Sequence, residues 1–401
     1  MSSPDRHETA AAAADALDRA ASDGRLAATR ALAGFDGFVD SIIRVVDRRR
    51  SMRPDDYEPI AAIPAFATRI AAAAGRSSNV ELVVLEDRFG GNGPLYAGAL
   101  GRLGMPTSYI GAVGQDDAGR ALMPLYEPFA ARCEEVIPIA APAHTDALEF
   151  DDGKVMLGKP ANVQAVTWER LLERVGLEGL RDRVARSSLL GIVNWTLCGG
   201  VQGIWEGLIR DVLPALPLAP PGTPARRIFI DLSDPAKRTD EDLRGALRTL
   251  RRMSDLAPVT LGLNLAEAER LAAVLGVDAF ADAPSLGEGV RVAAVRIRER
   301  AGLACVVIHP REGAAAANDR AESAWFEGPF TLRPRLSTGA GDHFGAGFSF
   351  AEVLGLPAAQ CLAVGCAVSG VYVRDAESPS LRRLLGFLRD LPATEAGAHR
   401  S

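Results

Sequence analysis

Beyond residue 30 the chain alternates between two kinds of hydrophobic pattern. Short, β-branched apolar runs occur at Val80–Leu85, Ser108–Val113, Leu189–Val193, Arg227–Leu232, Val259–Leu263 and Leu303–Ile308, and these predict strands. Most are followed by stretches whose apolar positions return every three or four residues: Pro94–Leu103, Ala118–Ala131, Val201–Leu213, Asp240–Arg252, Ala266–Leu275 and Leu286–Arg300. Those predict helices. A strand-helix alternation of this length implies an α/β fold in three layers, with a mostly parallel central sheet and helices on both faces. The run Cys305–Ile308 has no polar position and fits a strand covered on both sides.

Three regions break the rhythm. Residues 7–30 are alanine-rich with charges at helical spacing, which predicts a helical extension over residues 1–30 ahead of one domain spanning 31–395. Asp47–Pro59 is polar, and Thr145–Leu157 alternates at period two around Asp152-Gly153, a hairpin signal. Segments 41–60 and 143–160 are therefore expected to form a small β lid at one end of the sheet. The prolines of Leu213–Pro224 exclude a central strand and predict a surface connection, and the tail after Leu391 is expected to fray.

Composition narrows the function. The 401 residues are 48% apolar and 24% charged, and net charge is −6. An acidic balance argues against nucleic acid as partner, and no apolar run approaches the ~20 residues of a membrane span. Five cysteines without a Cys-x-x-Cys pair predict reduced thiols, and together with the lack of a leader-like N-terminus they point to a cytoplasmic protein.

The chemistry concentrates at Leu336–Phe350, LSTGAGDHFGAGFSF. Gly339 and Gly341 stand just ahead of an apolar helical run. A bare loop entering a helix offers unpaired N–H groups and the positive end of the helix dipole, which together make an anion hole. Asp342 sits where an anion would bind. A carboxylate beside a phosphate can take the proton of a hydroxyl attacking it. The plain alternative is a tight turn with an acid in the first helical turn. A P-loop and a dinucleotide fingerprint are both missing.

The segment resembles the C-terminal signature of the ribokinase/PfkB family of carbohydrate and nucleoside kinases. A second signature stands upstream in the proper order, FGGNGPLYAGALGRLG at Phe89–Gly104, continuing as IGAVGQDDAGR from Ile110. The resemblance spans residues 31 to 390 and implies a ribokinase-like three-layer sandwich with a β lid. It implies an ATP-dependent phosphotransferase acting on a hydroxyl of a sugar, sugar acid or polyol, with Mg²⁺. Asp342 then matches the family's base, and the N–H groups of Gly339, Ala340 and Gly341 its anion hole. Gly90, Gly91 and Asn92 match residues against the substrate, with Asp40, or else Asp36, as acceptor of substrate hydroxyls. Asn264 and Glu267 match an N-x-x-E motif that organises Mg²⁺ and phosphate. The same pair also reads as a helix capping box, and both readings can hold together.

Several positions depart from the pattern. Leu95 replaces an asparagine that contacts substrate in relatives, and Leu336 replaces an acid tied to a monovalent cation. The turn expected at the nucleotide reads His309-Pro310-Arg311-Glu312-Gly313, so His309 and Gly313 are expected to border the nucleotide, with His309 as a loop residue without a role the open alternative. Lys237 and Arg238 follow a strand end and read as a solvated pair or as phosphate contacts, and His343 reads as structural. A nucleoside kinase of the same fold and a silent sugar-binding regulator stay open as alternatives. The edges of a lid sheet also favour a homodimer through the lid.

Overall fold

The computed structural model describes residues 5–216, 226–278, 280 and 283–395. Among the described residues there are fourteen strands: β1 (Ala31–Phe35), β2 (Phe38–Arg49), β3 (Tyr57–Pro59), β4 (Leu82–Gly90), β5 (Thr107–Gly111), β6 (Glu135–Pro138), β7 (Ala143–Phe150), β8 (Gly153–Lys159), β9 (Leu189–Val193), β10 (Arg227–Asp231), β11 (Val259–Leu263), β12 (Cys305–Ile308), β13 (Gly313–Asn318) and β14 (Ser323–Glu327). Nine form the central sheet in the order β14-β13-β12-β11-β10-β9-β1-β5-β6. It is parallel from β6 to β12, and β13 and β14 extend it antiparallel.

Alternation along each strand feeds two cores. Leu190 and Ile192 of β9 join one apolar cluster, Leu189 and Val193 the other. Helices Trp168–Val175, Leu177–Arg186, Val201–Gly207, Asp240–Ser254, Leu265–Leu275 and Leu286–Ala301 cover the first face. Helices Arg6–Ser22, Asn92–Arg102, Ala340–Val353, Ala358–Asp375 and Leu381–Arg389 cover the second. This is the ribokinase-like sandwich with a lid that the motifs imply. The N-terminal helix buries Ala10, Ala13, Ala14, Leu17 and Ala20 in the second core.

The lid is a five-stranded sheet in which β2 pairs with β3, β4 and β7, and β7 pairs with β8. The hairpin at Asp152-Gly153 is present. Two corrections follow. The run Val80–Leu85 is not a core strand, because it enters β4 and pairs with β2 in the lid. The helix expected over Ala118–Ala131 shrinks to a 3-10 turn at Pro124–Tyr126 and one turn at Glu127–Ala130. Gly119 takes a left-handed φ of +58, and Pro124 and Pro128 have no N–H to give a longer helix. The proline-rich connection lies, from residue 217 to 225, outside the described residues. The tail is held as far as Glu395: its N–H donates to the Phe330 carbonyl at 3.1 Å, and its carboxylate accepts the Leu332 N–H at 2.6 Å. All five cysteines are free and four are buried. No helix among the described residues is long and apolar enough to cross a membrane.

Candidate active site

The site forms at the carboxyl ends of the parallel strands, where chain reversals leave room for polar groups. Asp36 follows β1 and is fully buried. Its Oδ1 accepts the Gly93 N–H at 2.7 Å; its Oδ2 accepts the Asn92 N–H at 3.0 Å and Asn194 Nδ2 at 2.7 Å. Asn92 and Gly93 open helix Asn92–Arg102, whose N-cap, Gly91, supplies no side chain. Asp36 therefore caps this helix from a neighbouring strand, satisfying donors the helix cannot. Burial raises its carboxyl to about 6 against these donors. Both oxygens are engaged by protein groups, so Asp40 is the carboxylate of the pair that remains part exposed.

Asp342 lies in the first turn of helix Ala340–Val353 and is buried, with 8% exposed. Gly339 is the N-cap in the left-handed region at φ +85, which only glycine adopts without strain. Asn92 Nδ2 donates to Asp342 Oδ1 at 2.8 Å. Burial drives the Asp342 carboxyl well above the usual range; the negative charge of Asp231 adds to the rise, and the Asn92 donor opposes it. The loop before the helix is pinned from behind. His343 stacks on Tyr372 at 3.6 Å and bonds the Gly339 carbonyl and Ser378 Oγ, each at 2.8 Å. Tyr372 donates to the Thr338 carbonyl at 2.8 Å. Burial lowers the His343 imidazole to about 4, so it stays neutral. Ala340 gives its N–H to the Ser337 carbonyl at 3.2 Å, which turns that one donor of the expected trio back into the loop.

The two helices that carry Asn92 and Asp342 are locked together. Tyr96 stacks on Phe229 at 5.3 Å and shares a 2.7 Å hydrogen bond with Ser349. Gly345 and Gly191 leave room for these rings, since a Cβ would meet Phe229 at 2.8 Å and Tyr96 at 2.4 Å respectively.

A second acidic group stands at β10 and β11. Asn264 and Glu267 form the capping box: Asn264 Oδ1 accepts the Glu267 N–H at 3.0 Å, and Glu267 Oε2 accepts the Asn264 N–H at 2.8 Å. Glu267 Oε1 takes the Asp234 N–H at 2.9 Å. Asp231 Oδ1 takes the Ser233 N–H at 2.8 Å. Burial raises Glu267 to about 7 and Asp231 to about 6, and the charge of Asp231 pushes Glu267 further. Among the described residues no three acid, histidine or cysteine side chains converge as a ready-made metal cage. A buried and a half-buried carboxylate that repel one another do suit a divalent cation held partly through water, the way Mg²⁺ is bound.

The lid reaches the same end of the sheet. Asp40 on β2 stands opposite Thr145 on β7, and burial raises its carboxyl while the Thr145 hydroxyl acts against the rise. A Cβ on Gly90 would lie 2.3 Å from Asp40 Oδ2, so bare backbone there lets the carboxylate lie flat. His309 packs on Phe344 at 4.6 Å, and a Cβ on Gly341 would meet its ring at 3.4 Å. Its imidazole is lowered to about 4 by burial. Gly313 begins β13, where a Cβ would strike the Phe326 carbonyl at 2.3 Å, so its bareness serves strand packing. Leu95 touches the Gly339 position: a Cβ there would lie 2.8 Å from Leu95 Cδ1. Lys237 is exposed and paired with Asp234, whereas Arg238 lies over the Trp195 ring at 4.5 Å.

Two residues escaped the sequence reading. Asp231 ends a parallel strand, a position that already marks ligand sites in such sheets. Asn194, at a left-handed φ of 63, carried no local signal beyond being a polar residue after a strand.

A family model described as prokaryotic ketohexokinase matches residues 5–391. A curated ketohexokinase from Haloferax volcanii is 30% identical over 391 residues, covering 96% of this chain and 97% of that protein. Among solved structures, Arabidopsis thaliana ribokinase complexed with ribose and ATP superposes with a TM-score of 0.59 at 14% identity, covering 90% of this chain and 98% of that one. A probable sugar kinase from Rhizobium etli gives 0.59 at 19% identity, with the same coverages.

Proposed function

The chain belongs to the prokaryotic ketohexokinase family and is a PfkB-family carbohydrate kinase, and from that premise we propose that it transfers the γ-phosphoryl of ATP to a hydroxyl of a ketohexose. The observation that carries the mechanism is Asp342, buried in the first turn of a helix behind a bare glycine N-cap and hydrogen-bonded to Asn92. An incoming hydroxyl attacks the γ-phosphorus in line and gives its proton to an Asp342 oxygen. A carboxylate with its proton affinity raised by burial is a better base than an exposed one. The transferred phosphoryl lies at the helix N-terminus. Gly339 and Gly341 are the donors there, because Ala340 points its N–H at Ser337 in this conformation.

Asp40 receives sugar hydroxyls, since a carboxylate accepts several bonds at once and this one is not spent on backbone. Gly90 and Gly91 let the sugar approach main chain. Glu267, oriented by Asn264, would hold Mg²⁺, which when bound would offset phosphate charge. His309 borders the nucleotide beside Gly341. The lid closes over the sugar and keeps water, a competing nucleophile, from the phosphoryl.

Among the described residues strand β4 leaves one long edge unpaired, with Leu82, Val84 and Leu85 exposed by 42%, 54% and 54%. Such an edge suits pairing with a second copy of the lid, and a dimer in sedimentation that a Val84→Lys change dissociates is the expected result.

The direct test is ADP release with a panel of ketohexoses, aldoses, polyols and nucleosides. Turnover with ketohexoses, lost in Asp342→Asn while ATP still binds, is the expected pattern. Turnover with nucleosides alone would overturn the sugar assignment, and undiminished turnover by the Asn variant would overturn the base.

A further inference from the structure

Asn92 has two chemistries available at one side chain. Its carboxamide oxygen is free for a sugar hydroxyl, as the first signature implies, but its Nδ2 is committed to Asp342 Oδ1 at 2.8 Å. The residue is held rigidly. Its own N–H and that of Gly93 are clamped by Asp36, and Asp36 in turn is held by Asn194 Nδ2 at 2.7 Å. Tyr109 adds a hydrogen bond to the Asp36 carbonyl. Crowding keeps the clamp tight: a Cβ on Gly93 would lie 2.7 Å from Asp36 Oδ1 and 2.5 Å from the Tyr109 hydroxyl. Four segments far apart in sequence thus hold in place the one side chain that donates to the base.

We infer that Asn92 is the positioning residue of Asp342, aiming its carboxylate through Nδ2, and that the buried Asp36–Asn194 pair exists to fix Asn92 in that pose. This rests on Asp342 being the base. The energetic logic favours it. Burying Asp36 without a cation is costly, and no exposed surface is gained by it. Its three donors all serve the start of the helix that presents Asn92 or the loop beside it.

The groups facing Asp342 bear on how it titrates. Asp231 from the end of β10 and Asp36 from the end of β1 raise it by their charge. The Tyr372 phenol, from helix Ala358–Asp375, is itself raised further by Asp342, with Arg88 and Asp40 of the lid acting on it in opposite senses. His343 beside Asp342 and His309 beside Gly341 are neutral. Among these neighbours Asn92 is the side chain that donates to the carboxylate. Its loss removes the main force opposing burial.

The test is the pH profile of kcat/KM for the sugar in wild type, Asn92→Ala and Asn92→Asp. The expected result is an acid limb moved up by about one pH unit in the Ala variant, about a tenfold loss of rate on that limb, and a further move in the Asp variant. KM should change less than kcat. An acid limb that stays in place while KM rises would show that Asn92 only reads the sugar, and would overturn the inference. A second readout needs no turnover. In a double-mutant cycle on thermal unfolding, Asn92→Ala and Asp342→Ala should be non-additive, and additivity would overturn the pairing. Failure of the parent reading looks different: Asp342→Asn would keep full turnover while the stability cycle still reported the pair.

Discussion

Glu267 Oε1 accepts the backbone N–H of Asp234 at 2.9 Å, so the capping acid of one helix holds the loop of the neighbouring strand. That loop needs holding. Ser233 and Asp234 are successive non-glycine residues in the left-handed region, at φ 55 and 56. Each such residue stores roughly 1–3 kcal/mol of strain, which persists only where the surroundings impose it. Glu267→Gln turns one acceptor oxygen into an NH₂ facing an N–H donor. We expect a loss of about 1–3 kcal/mol in unfolding free energy. The Mg²⁺ concentration for half-maximal rate should rise several-fold, read by titrating initial rate against the metal. An unchanged Mg²⁺ requirement would confine Glu267 to loop support.

Gly339 faces two constraints at once, and they can be separated. Its φ of +85 penalises any side chain, and a Cβ would also press on Leu95 Cδ1 at 2.8 Å and on the Tyr372 hydroxyl at 3.1 Å. Gly339→Ala should cost about 1–2 kcal/mol of stability and lower kcat by tenfold or more, because the turn proposed to present the phosphoryl donors must shift. Adding Leu95→Ala relieves the contact and leaves the backbone strain. The double variant should therefore recover little of the lost kcat. Recovery to near wild type would show that crowding by Leu95, not backbone conformation, makes glycine necessary.

The buried Asp36 and His343 act on stability with opposite signs. The Asp36 carboxyl is raised from 3.8 to about 6, so its contribution is present at low pH and is lost as pH rises through 6. The His343 imidazole is lowered from 6.5 to about 4, so its contribution is present above 6.5 and is lost as pH falls toward 4. Two-unit shifts correspond to about 3 kcal/mol each, and both act between pH 4 and 6.5. They nearly cancel in the wild type. Urea unfolding across that window should show Asp36→Asn losing stability with acid more steeply than wild type. His343→Gln should show the reverse slope change. Parallel profiles for all three proteins would refute the assignment.

The fold was legible where burial is local and double-sided. In β9, Leu190 and Ile192 face one core while Leu189 and Val193 face the other, which forces the short unbroken apolar run seen in the sequence. The same composition misleads at Val80–Leu85. Branched apolar residues favour a strand there, but nothing in the run says that Leu82, Val84 and Leu85 stay exposed in a lid. The loss of the helix at Ala118–Ala131 was written in Gly119, Pro124 and Pro128, which outweigh the apolar spacing. In the site, Gly339 to Asp342 could be read because conformation and acid are three residues apart. The clamp of Asp36, Asn92 and Asn194 on Asp342 could not, since its parts meet only after the sheet has formed.

Glu352 lies on the helix of Asp342, ten residues further on, and so about 15 Å from it along the axis. Its Oε1 is 3.1 Å from Arg227 Nη1, and Thr260 Oγ1 donates to both its oxygens at 3.0 and 2.8 Å. Both charged side chains are nearly buried, 12% and 10% exposed, and burial raises the Glu352 carboxyl despite the arginine. Breaking such a pair leaves one charge stranded, so Glu352→Ala should lose about 3–5 kcal/mol of stability. Replacing both partners by apolar residues of similar volume, Arg227→Met with Glu352→Leu, should restore most of that loss. Calorimetric unfolding of the three variants measures this. Because the pair sits at the far end of the helix, kcat measured well below the unfolding temperature should stay within about twofold of wild type in the double variant. A large fall in kcat there, with stability restored, would show that the pair sets the pose of the helix that carries Asp342 and is more than an anchor for its far end.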